Sequence, residues 1–407
     1  MKTLLINPPS PYLSNDAAYP PMGLMYVAAA IERAGDSAEI LDLAGTENWP
    51  AELDQSRYDG FDLVGITCVT PNIEMVREII NYTPPEIPVM VGGAHPTHLP
   101  LETIAYTGCD FVIRGEAEII IPEVLKNFRH SNKTVYGMEP VTVSDIPKPA
   151  RHLVDLHRYA PGGDIATPVY TSRGCNFGCR FCSKLAGITY REIPLKQIVD
   201  EVCECRDAYG FRKIVFGDDN IAMNPKRLTE LLTMLKPLDI SFRLNQDARH
   251  NKQERFDLAW ESGCTDISFG IESGSQRMLN AMNKQITVSR NAEAIRMTQN
   301  AGMEAKAYFM VNYPEETEES VKETLRFAED TRPDKWMVSS FAPLPGSYAY
   351  THAKELGILS MSNNWSDYYL VGKDGQFKPC FTTKYLTYEK QVELHDMMVN
   401  GLKEILV

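Results

Sequence analysis

The chain has 407 residues, 43% hydrophobic and 23% charged, a composition typical of a water-soluble globular protein with room for two or three domains. Its formal net charge is −13 and its pI about 5.2, with no basic tract, which argues against nucleic acid as a partner. No apolar run is long enough to span a bilayer and Met1-Lys2-Thr3 opens no signal peptide, so the expected location is the cytoplasm.

The first elements read as buried parallel strands: Thr3–Asn7, Leu63–Thr67, Pro88–Gly92 and Phe111–Arg114. Helical patterns such as Gly23–Ala34 and Asn72–Asn81 lie between them. Alternating strand and helix predict an α/β, doubly wound, Rossmann-like domain over residues 1–141. Such folds bind ligands at the carboxyl ends of their strands. There the chain carries Asn7-Pro8-Pro9, Thr67-Cys68-Val69-Thr70, Gly92-Gly93-Ala94-His95-Pro96-Thr97 and Arg114-Gly115-Glu116. The glycine pair admits a close backbone approach to a bulky ligand; a tight βα turn would explain it equally.

Residues 142–165 are rich in proline, weak in periodicity, and read as a linker. A second domain over 166–347 opens with the strand Val169–Ser172. Lys213–Phe216, Ile240–Leu244, Asp266–Gly270, Ala305–Val311 and Trp336–Phe341 follow as further strands. Helices between successive strands predict a partial (β/α)6 barrel, with its chemistry at the strands' carboxyl ends. Residues 348–407 form a short, helical C-terminal segment.

The first barrel strand runs into Cys175-Asn176-Phe177-Gly178-Cys179-Arg180-Phe181-Cys182, a C-x3-C-x2-C spacing. Three thiolates on one loop can hold three irons of a [4Fe–4S] cluster and leave the fourth open to a chelating ligand. A zinc site would want a fourth ligand from a second C-x2-C or an H-x3-5-H, and neither is present. A redox C-x2-C would not need Cys175. Of nine cysteines, the other six are scattered and read as small buried residues.

With this loop at its centre, the sequence resembles the radical S-adenosylmethionine (SAM) enzymes with a cobalamin-binding domain, class B type, over almost its whole length. Ile6-Asn7-Pro8-Pro9, Pro21-Met22-Gly23-Leu24, Gly92 to Thr97 and Val112 to Glu116 are similar to that family's cobalamin domain. Phe216-Gly217-Asp218-Asp219, Phe269 to Ser275 and Pro343-Leu344-Pro345-Gly346-Ser347 are similar to its radical domain.

The resemblance implies that Cys175, Cys179 and Cys182 hold the cluster and that SAM chelates the open iron. It implies SAM contacts from Phe181, Gly217, Asp218, Asp219, Glu272, Ser273 and Asn312, with Asp218 opposite the SAM ammonium. Arg243 or Arg249 would pair with the SAM carboxylate, since guanidinium groups bind carboxylates in a bidentate way. A corrinoid would meet Asn7, Pro8, Pro9, Thr67, Cys68, Thr70, Gly92, Gly93, His95, Arg114, Gly115 and Glu116. No residue is singled out as a catalytic acid or base.

Two features depart from the family pattern. No D-x-H-x-x-G occurs in residues 1–150, so the histidine that commonly meets cobalt is not encoded. The family's G-x-P-G-E-T turn reads Asn312-Tyr313-Pro314-Glu315-Glu316-Thr317, which suggests an altered wall near the adenosine or the substrate.

The leading expectation is an enzyme that forms a 5′-deoxyadenosyl radical from SAM and transfers a methyl group, carried by cobalamin, to a carbon of a small molecule. An external donor such as flavodoxin or ferredoxin would supply the electron. One alternative keeps the radical chemistry, as dehydration, rearrangement or cyclisation, with the first domain a scaffold. Another is a non-enzymatic iron–sulfur or cobalamin-binding regulator.

Overall fold

The computed structural model describes the chain except for residues 14, 129–133, 138–141, 160–165, 185, 374–375 and 407. Two units are distinguished: Met1–Asp164 with Leu185–Thr189 and Asn363–Tyr369, and Ile165–Lys184 with Tyr190–Ser362 and Leu370–Val407.

Among the described residues, the first unit is a parallel sheet of six strands: β1 (Lys2–Asn7), β2 (Ser37–Asp42), β3 (Leu63–Thr67), β4 (Val89–Gly92), β5 (Phe111–Ile113) and β6 (Thr134–Tyr136). Their order is β2-β1-β3-β4-β5-β6, so the winding reverses between β1 and β3. A crevice opens at such a switch point, outside the carboxyl ends of the strands. The core forms because consecutive strands place Leu4, Ile6, Val64, Ile66, Val89 and Val91 on one buried face. Helix α1 (Met22–Arg33) and helix α2 (Ile73–Tyr82) follow β1 and β3. Helix α2 turns Ile73, Val76 and Ile79 inward at helical spacing against that face.

The expected linker is described up to Tyr159, and residues 160–165 lie outside the described residues. Residues 142–159 run through three short 3-10 turns within the first unit. Ala150 N–H bonds Met25 O at 3.0 Å. The Tyr159 hydroxyl donates to Asp42 Oδ2, and Arg158 Nη1 donates to Asp42 O at 2.7 Å. The segment is therefore fastened beside the ends of β1 and β2.

In the second unit β7 (Ala166–Val169) starts a parallel sheet, completed by β10 (Lys213–Phe216), β11 (Ser241–Gln246), β12 (Cys264–Glu272), β13 (Glu304–Val311) and β14 (Lys335–Ser340). Spatial order follows chain order from β7 to β14, the arrangement of an open barrel. A small antiparallel pair, β8 (Ser172–Arg173) with β9 (Arg191–Glu192), brackets the cysteine loop. The strand expected at Val169–Ser172 is thus corrected: it ends at Val169, and Ser172 belongs to the bracket. Pro168 lies inside β7 and is tolerated because β7 is an edge strand. Helix α3 (Glu318–Thr331) opens with a capping box, Thr317 Oγ1 accepting from Ser320 N at 3.2 Å and Ser320 Oγ from Thr317 N at 2.9 Å. The α/β class and both architectures agree with the expectation.

Gly93, after β4, sits at φ +113°, and a Cβ there would lie 2.6 Å from Cys68 O. Gly93→Ala should destabilise the chain by at least ~1–3 kcal/mol through backbone strain and collision with the β3 loop. A chemical denaturation midpoint equal to wild type would contradict this.

Candidate active site

The cysteine loop is held before it is ligated. Thr171 N donates to both carboxylate oxygens of Asp218 at 3.1 Å, Thr171 Oγ1 donates at 2.8 Å, and Ser172 Oγ donates as well. Asp218 is 3% exposed. Burial raises its carboxyl above the usual carboxylate range, and the Ser172 and Thr171 bonds and the Arg227 charge partly offset this. Arg227 Nη2 in turn donates to Thr171 O at 2.9 Å and to Ile193 O. Farther along the loop, Arg180 N bonds Met282 O at 3.0 Å and Asn283 Nδ2 bonds Gly178 O at 2.8 Å. The turn at residues 282–285 therefore braces the loop from β12's side.

Asp218 was expected opposite a SAM ammonium, and the structure gives it another task. Its oxygens are occupied by the segment that leads into the loop. Its neighbour Asp219 is exposed, yet surrounding protein raises its carboxyl, with Arg173 acting the other way. The Asp219 charge also acts on the Cys175 and Cys182 thiols, which places it towards the loop. Adjacent strand-end residues face opposite ways, so one carboxylate is structural and the other open. Gly217, just before them, leaves room for the Tyr170 ring, which a Cβ would meet at 2.9 Å.

Glu272 is 8% exposed and takes φ +62° at the end of β12, where the register with β13 shifts between Gly270 and Glu272. A bulge of this kind re-aims a side chain. Here the Glu272 carboxylate meets Lys284 Nζ at 2.7 Å, and Lys284 is 7% exposed. Burial alone would lower the Lys284 ammonium; the Glu272 charge, with Cys179 and Asp247, raises it instead. Lys284 Nζ stands 5.7 Å from the Phe181 ring centroid. Sequence reasoning missed Lys284, which lies in a turn outside any named motif.

Arg249 pairs with Asp247, donates to Lys284 O, and stacks 3.6 Å from the Phe177 ring centroid. It braces the site through both of these bonds. Arg243 is the third residue of β11, half-buried and away from the strand's carboxyl end.

Two more of the expected residues are engaged within the fold. Ser273 is 1% exposed; its Oγ contacts Thr324 Oγ1 at 3.0 Å and accepts from Ser275 N at 3.0 Å, tying the loop to α3. Asn312 is fully buried, and its Nδ2 donates to Ser340 Oγ at 3.0 Å and Gln391 O at 3.1 Å. Tyr313 is also buried, against Phe341 at 5.0 Å, with its hydroxyl pushed up to about 12, chiefly by burial. The altered turn therefore packs the interior, with Asn312 Oδ1 left buried without a hydrogen-bond partner.

Two unexpected residues face the inside of the barrel. Leu244 and Ile267 point outward to Leu228, Leu232 and Phe256, so the alternate residues Asn245 and Ser268 point inward. These two are in register on β11 and β12, and Asn245 Oδ1 and Ser268 Oγ are buried without a hydrogen-bond partner. Orphaned buried oxygens of this kind point to a polar ligand between them.

Cys175, Cys179 and Cys182 are half-buried free thiols. Burial raises the Cys175 thiol and pushes that of Cys182 up to about 11. Among the described residues no group of three or more His, Cys, Asp or Glu is gathered for a single metal ion. A cubane cluster takes one thiolate per iron at separate corners, which suits three cysteines spread along one loop.

In the first unit the expected residues do gather at the carboxyl ends of β1, β3, β4 and β5. Asn7 Nδ2 donates to Asp42 Oδ1 at 2.7 Å; Pro8, Pro9 and Cys68 are buried; Thr67 closes β3. Arg114 Nε donates to Thr97 O at 2.9 Å, and Gly115 N donates to Thr97 Oγ1 at 2.9 Å, joining the β4 and β5 loops. Glu116 is half-buried in the β5 loop. His95 is fully buried, with Nδ1 3.2 Å from Thr70 Oγ1 and Nε2 2.9 Å from Glu102 Oε2. Both its nitrogens are engaged, so it supports the loops and presents no free ring nitrogen to a ligand. The rim is open: Val69 is exposed, and open space surrounds the position of a Gly115 Cβ. These two positions leave the carboxyl ends of the strands accessible at the β3 and β5 loops.

The B12 binding domain model matches residues 16–125, and the radical SAM superfamily model matches residues 169–328. An uncharacterised methyltransferase of Pyrococcus horikoshii is 28% identical, covering 96% of this chain and 90% of that protein. The bacteriochlorophyllide d C-12(1)-methyltransferase of Chlorobaculum tepidum is 29% identical over 87% of this chain and 78% of its own length. The structure of the radical SAM methyltransferase TsrM from Kitasatospora setae, with cobalamin and a [4Fe–4S] cluster bound, superposes with a TM-score of 0.77. That comparison covers 100% of this chain and 89% of the other at 16% identity, and shows the shared fold.

Asp218→Asn should destabilise the protein by ~1–3 kcal/mol, because an amide cannot accept on both sides and its NH2 would face donors. Asp219→Asn should leave the denaturation midpoint unchanged. Equal effects of the two substitutions would contradict the division of labour.

Proposed function

Because the chain belongs to the radical SAM superfamily and carries a B12 binding domain ahead of its radical SAM domain, we propose that it is a cobalamin-dependent methyltransferase acting on a carbon of a small molecule. One observation supports the methyl outcome above others. Two relatives that match through both domains, over 96% and 87% of this chain, are named methyltransferases. Membership in an enzyme superfamily leaves no place for the purely regulatory alternative. No described helix is long and apolar enough to cross a membrane.

When bound, the cluster supplies the electron for SAM cleavage and cobalamin supplies a carrier for the methyl group. The rest is the work of side chains. Cys175, Cys179 and Cys182 hold three corners of the cluster and leave one iron for SAM. Asp219, the open carboxylate beside that loop, would accept an N–H of the SAM amino group. Lys284 has three N–H donors, and Glu272 occupies one. Another is available to the SAM carboxylate, so the buried pair orients a charge while keeping it neutralised. Asn245 Oδ1 and Ser268 Oγ bind the sugar hydroxyls, and Phe181 flanks the base. In the first unit the rim around Val69, Gly92 and Gly115 would hold the corrinoid, and His95, engaged at both ring nitrogens, would support the loops around it. The electron comes from a small redox protein of the flavodoxin or ferredoxin kind.

The decisive experiment is anaerobic purification with hydroxocobalamin supplied. About one corrinoid per chain should be retained, and S-adenosylhomocysteine should form under reducing conditions only when corrinoid is present. Formation of 5′-deoxyadenosine alone, with no corrinoid uptake, would favour dehydration, rearrangement or cyclisation on a scaffold. Replacing Cys175, Cys179 and Cys182 by alanine should remove about four irons per chain and all reductive SAM cleavage; persistent cleavage would refute the cluster assignment. Asp219→Asn and Lys284→Met should each raise the SAM dissociation constant by about 10- to 100-fold, the loss of a charge-assisted hydrogen bond. Isothermal titration of the cluster-loaded protein reads this, and unchanged affinity in both variants would refute the assignment.

A further inference from the structure

Residues 363–369 belong to the first unit, although the chain on either side of them belongs to the second. The segment is a short strap. Its 3-10 turn, Trp365–Asp367, is capped by Asn364 Oδ1, which accepts from Ser366 N at 3.1 Å. Two aromatic anchors fix it. Tyr369 stacks on Tyr12 with centroids 6.0 Å apart, and Trp365 packs against the sheet's core.

Trp365 also ends a hydrogen-bonded chain. Its indole Nε1 donates to Glu102 Oε1 at 2.8 Å. The other oxygen of Glu102 meets His95 Nε2 at 2.9 Å, and His95 Nδ1 meets Thr70 Oγ1 at 3.2 Å. The indole and imidazole rings stand edge to face at 5.0 Å. A carboxylate only accepts, so Nε2 carries the proton and Nδ1 accepts from the Thr70 hydroxyl. The backbone closes the loop, since His95 N donates to Cys68 O at 3.3 Å.

Thr70 follows β3 and His95 follows β4, so one buried imidazole ties together two loops of the proposed corrinoid rim. Nothing in the strap needs to touch the corrinoid. We propose that Trp365, acting through Glu102 and His95, is a positioning residue that holds the β3 and β4 loops in their corrinoid-receptive form. The inference rests on the first unit binding a corrinoid.

The test titrates hydroxocobalamin into the full, cluster-loaded chain by equilibrium dialysis with visible absorbance, and SAM into the same samples. Trp365→Phe keeps an aromatic ring and loses the N–H. It should raise the hydroxocobalamin dissociation constant about tenfold, the loss of one hydrogen bond to a charged acceptor, with SAM affinity and iron content within about twofold of wild type. Glu102→Ala should do the same. Glu102→Gln should restore affinity to within about threefold: the amide oxygen still accepts from the indole, and its NH2 donates to Nε2 once His95 moves its proton to Nδ1. A purely packing role would not separate the alanine from the glutamine variant. Wild-type corrinoid affinity in both Trp365→Phe and Glu102→Ala overturns the inference, as does a parallel loss of SAM affinity and iron. A wild-type protein that takes up no corrinoid overturns the underlying assignment instead, and is seen before any variant is made.

Discussion

The second unit depends on one buried carboxylate. Asp218 is removed from water at a cost that only donors can offset, and it receives them from Thr171 and Ser172 at the mouth of the cysteine loop. Thr171 then offers its carbonyl to Arg227, whose guanidinium also holds Ile193 beyond the loop's far end. One acidic and one basic side chain thus fix both approaches to Cys175–Cys182. Removing the carboxylate would leave the Thr171 and Ser172 donors buried without an acceptor, and removing the guanidinium would leave the Thr171 and Ile193 carbonyls without their donor. This makes the loop's path a property of the protein, set before iron is considered.

The same logic orders the rest of the site. Glu272 is matched by Lys284 and Asp247 by Arg249, each pair buried or nearly so. Arg249 also caps the backbone at Lys284, so the two pairs brace each other. Against this neutralised background Asp219 stands out as an open carboxylate facing the loop. Lys284, though buried and paired, keeps N–H donors that Glu272 does not occupy. Charges already consumed in the scaffold confer geometry; the ones left over confer affinity.

How much of this was legible in the sequence depended on what each residue answers to. Buried parallel strands are continuous apolar runs, so Leu63–Thr67 and Lys213–Phe216 were read to the residue. β2, with the sequence SAEILD, is an edge strand with polar positions and left no such signal. β7 was misplaced because Pro168 looked like a boundary, whereas an edge strand accepts it. The cysteine spacing is local and was plain. Which of two adjacent aspartates is buried and which stays exposed is a matter of strand phase at a single residue, and no pattern records it. Lys284 was invisible for a different reason: it reaches Glu272 only because a bulge and a left-handed backbone at Glu272 turn that carboxylate back.

The departures from the family pattern acquire a physical meaning in the same terms. Asn312 stands at φ +70°, where glycine is unstrained and asparagine is among the few other residues tolerated. Its amide then does what a glycine cannot, by fastening the end of β13 to Ser340 on β14 and to Gln391 in the C-terminal helix. The substitution exchanges backbone freedom for a tether within the fold. The first unit shows the counterpart. Its sequence lacks the histidine motif, and the histidine that it does place on the rim is neutralised by burial and engaged on both sides. A ring so occupied stiffens the loops around it. The histidine is thereby spent on joining the loops after β3 and β4, and the loops' shape rests on it.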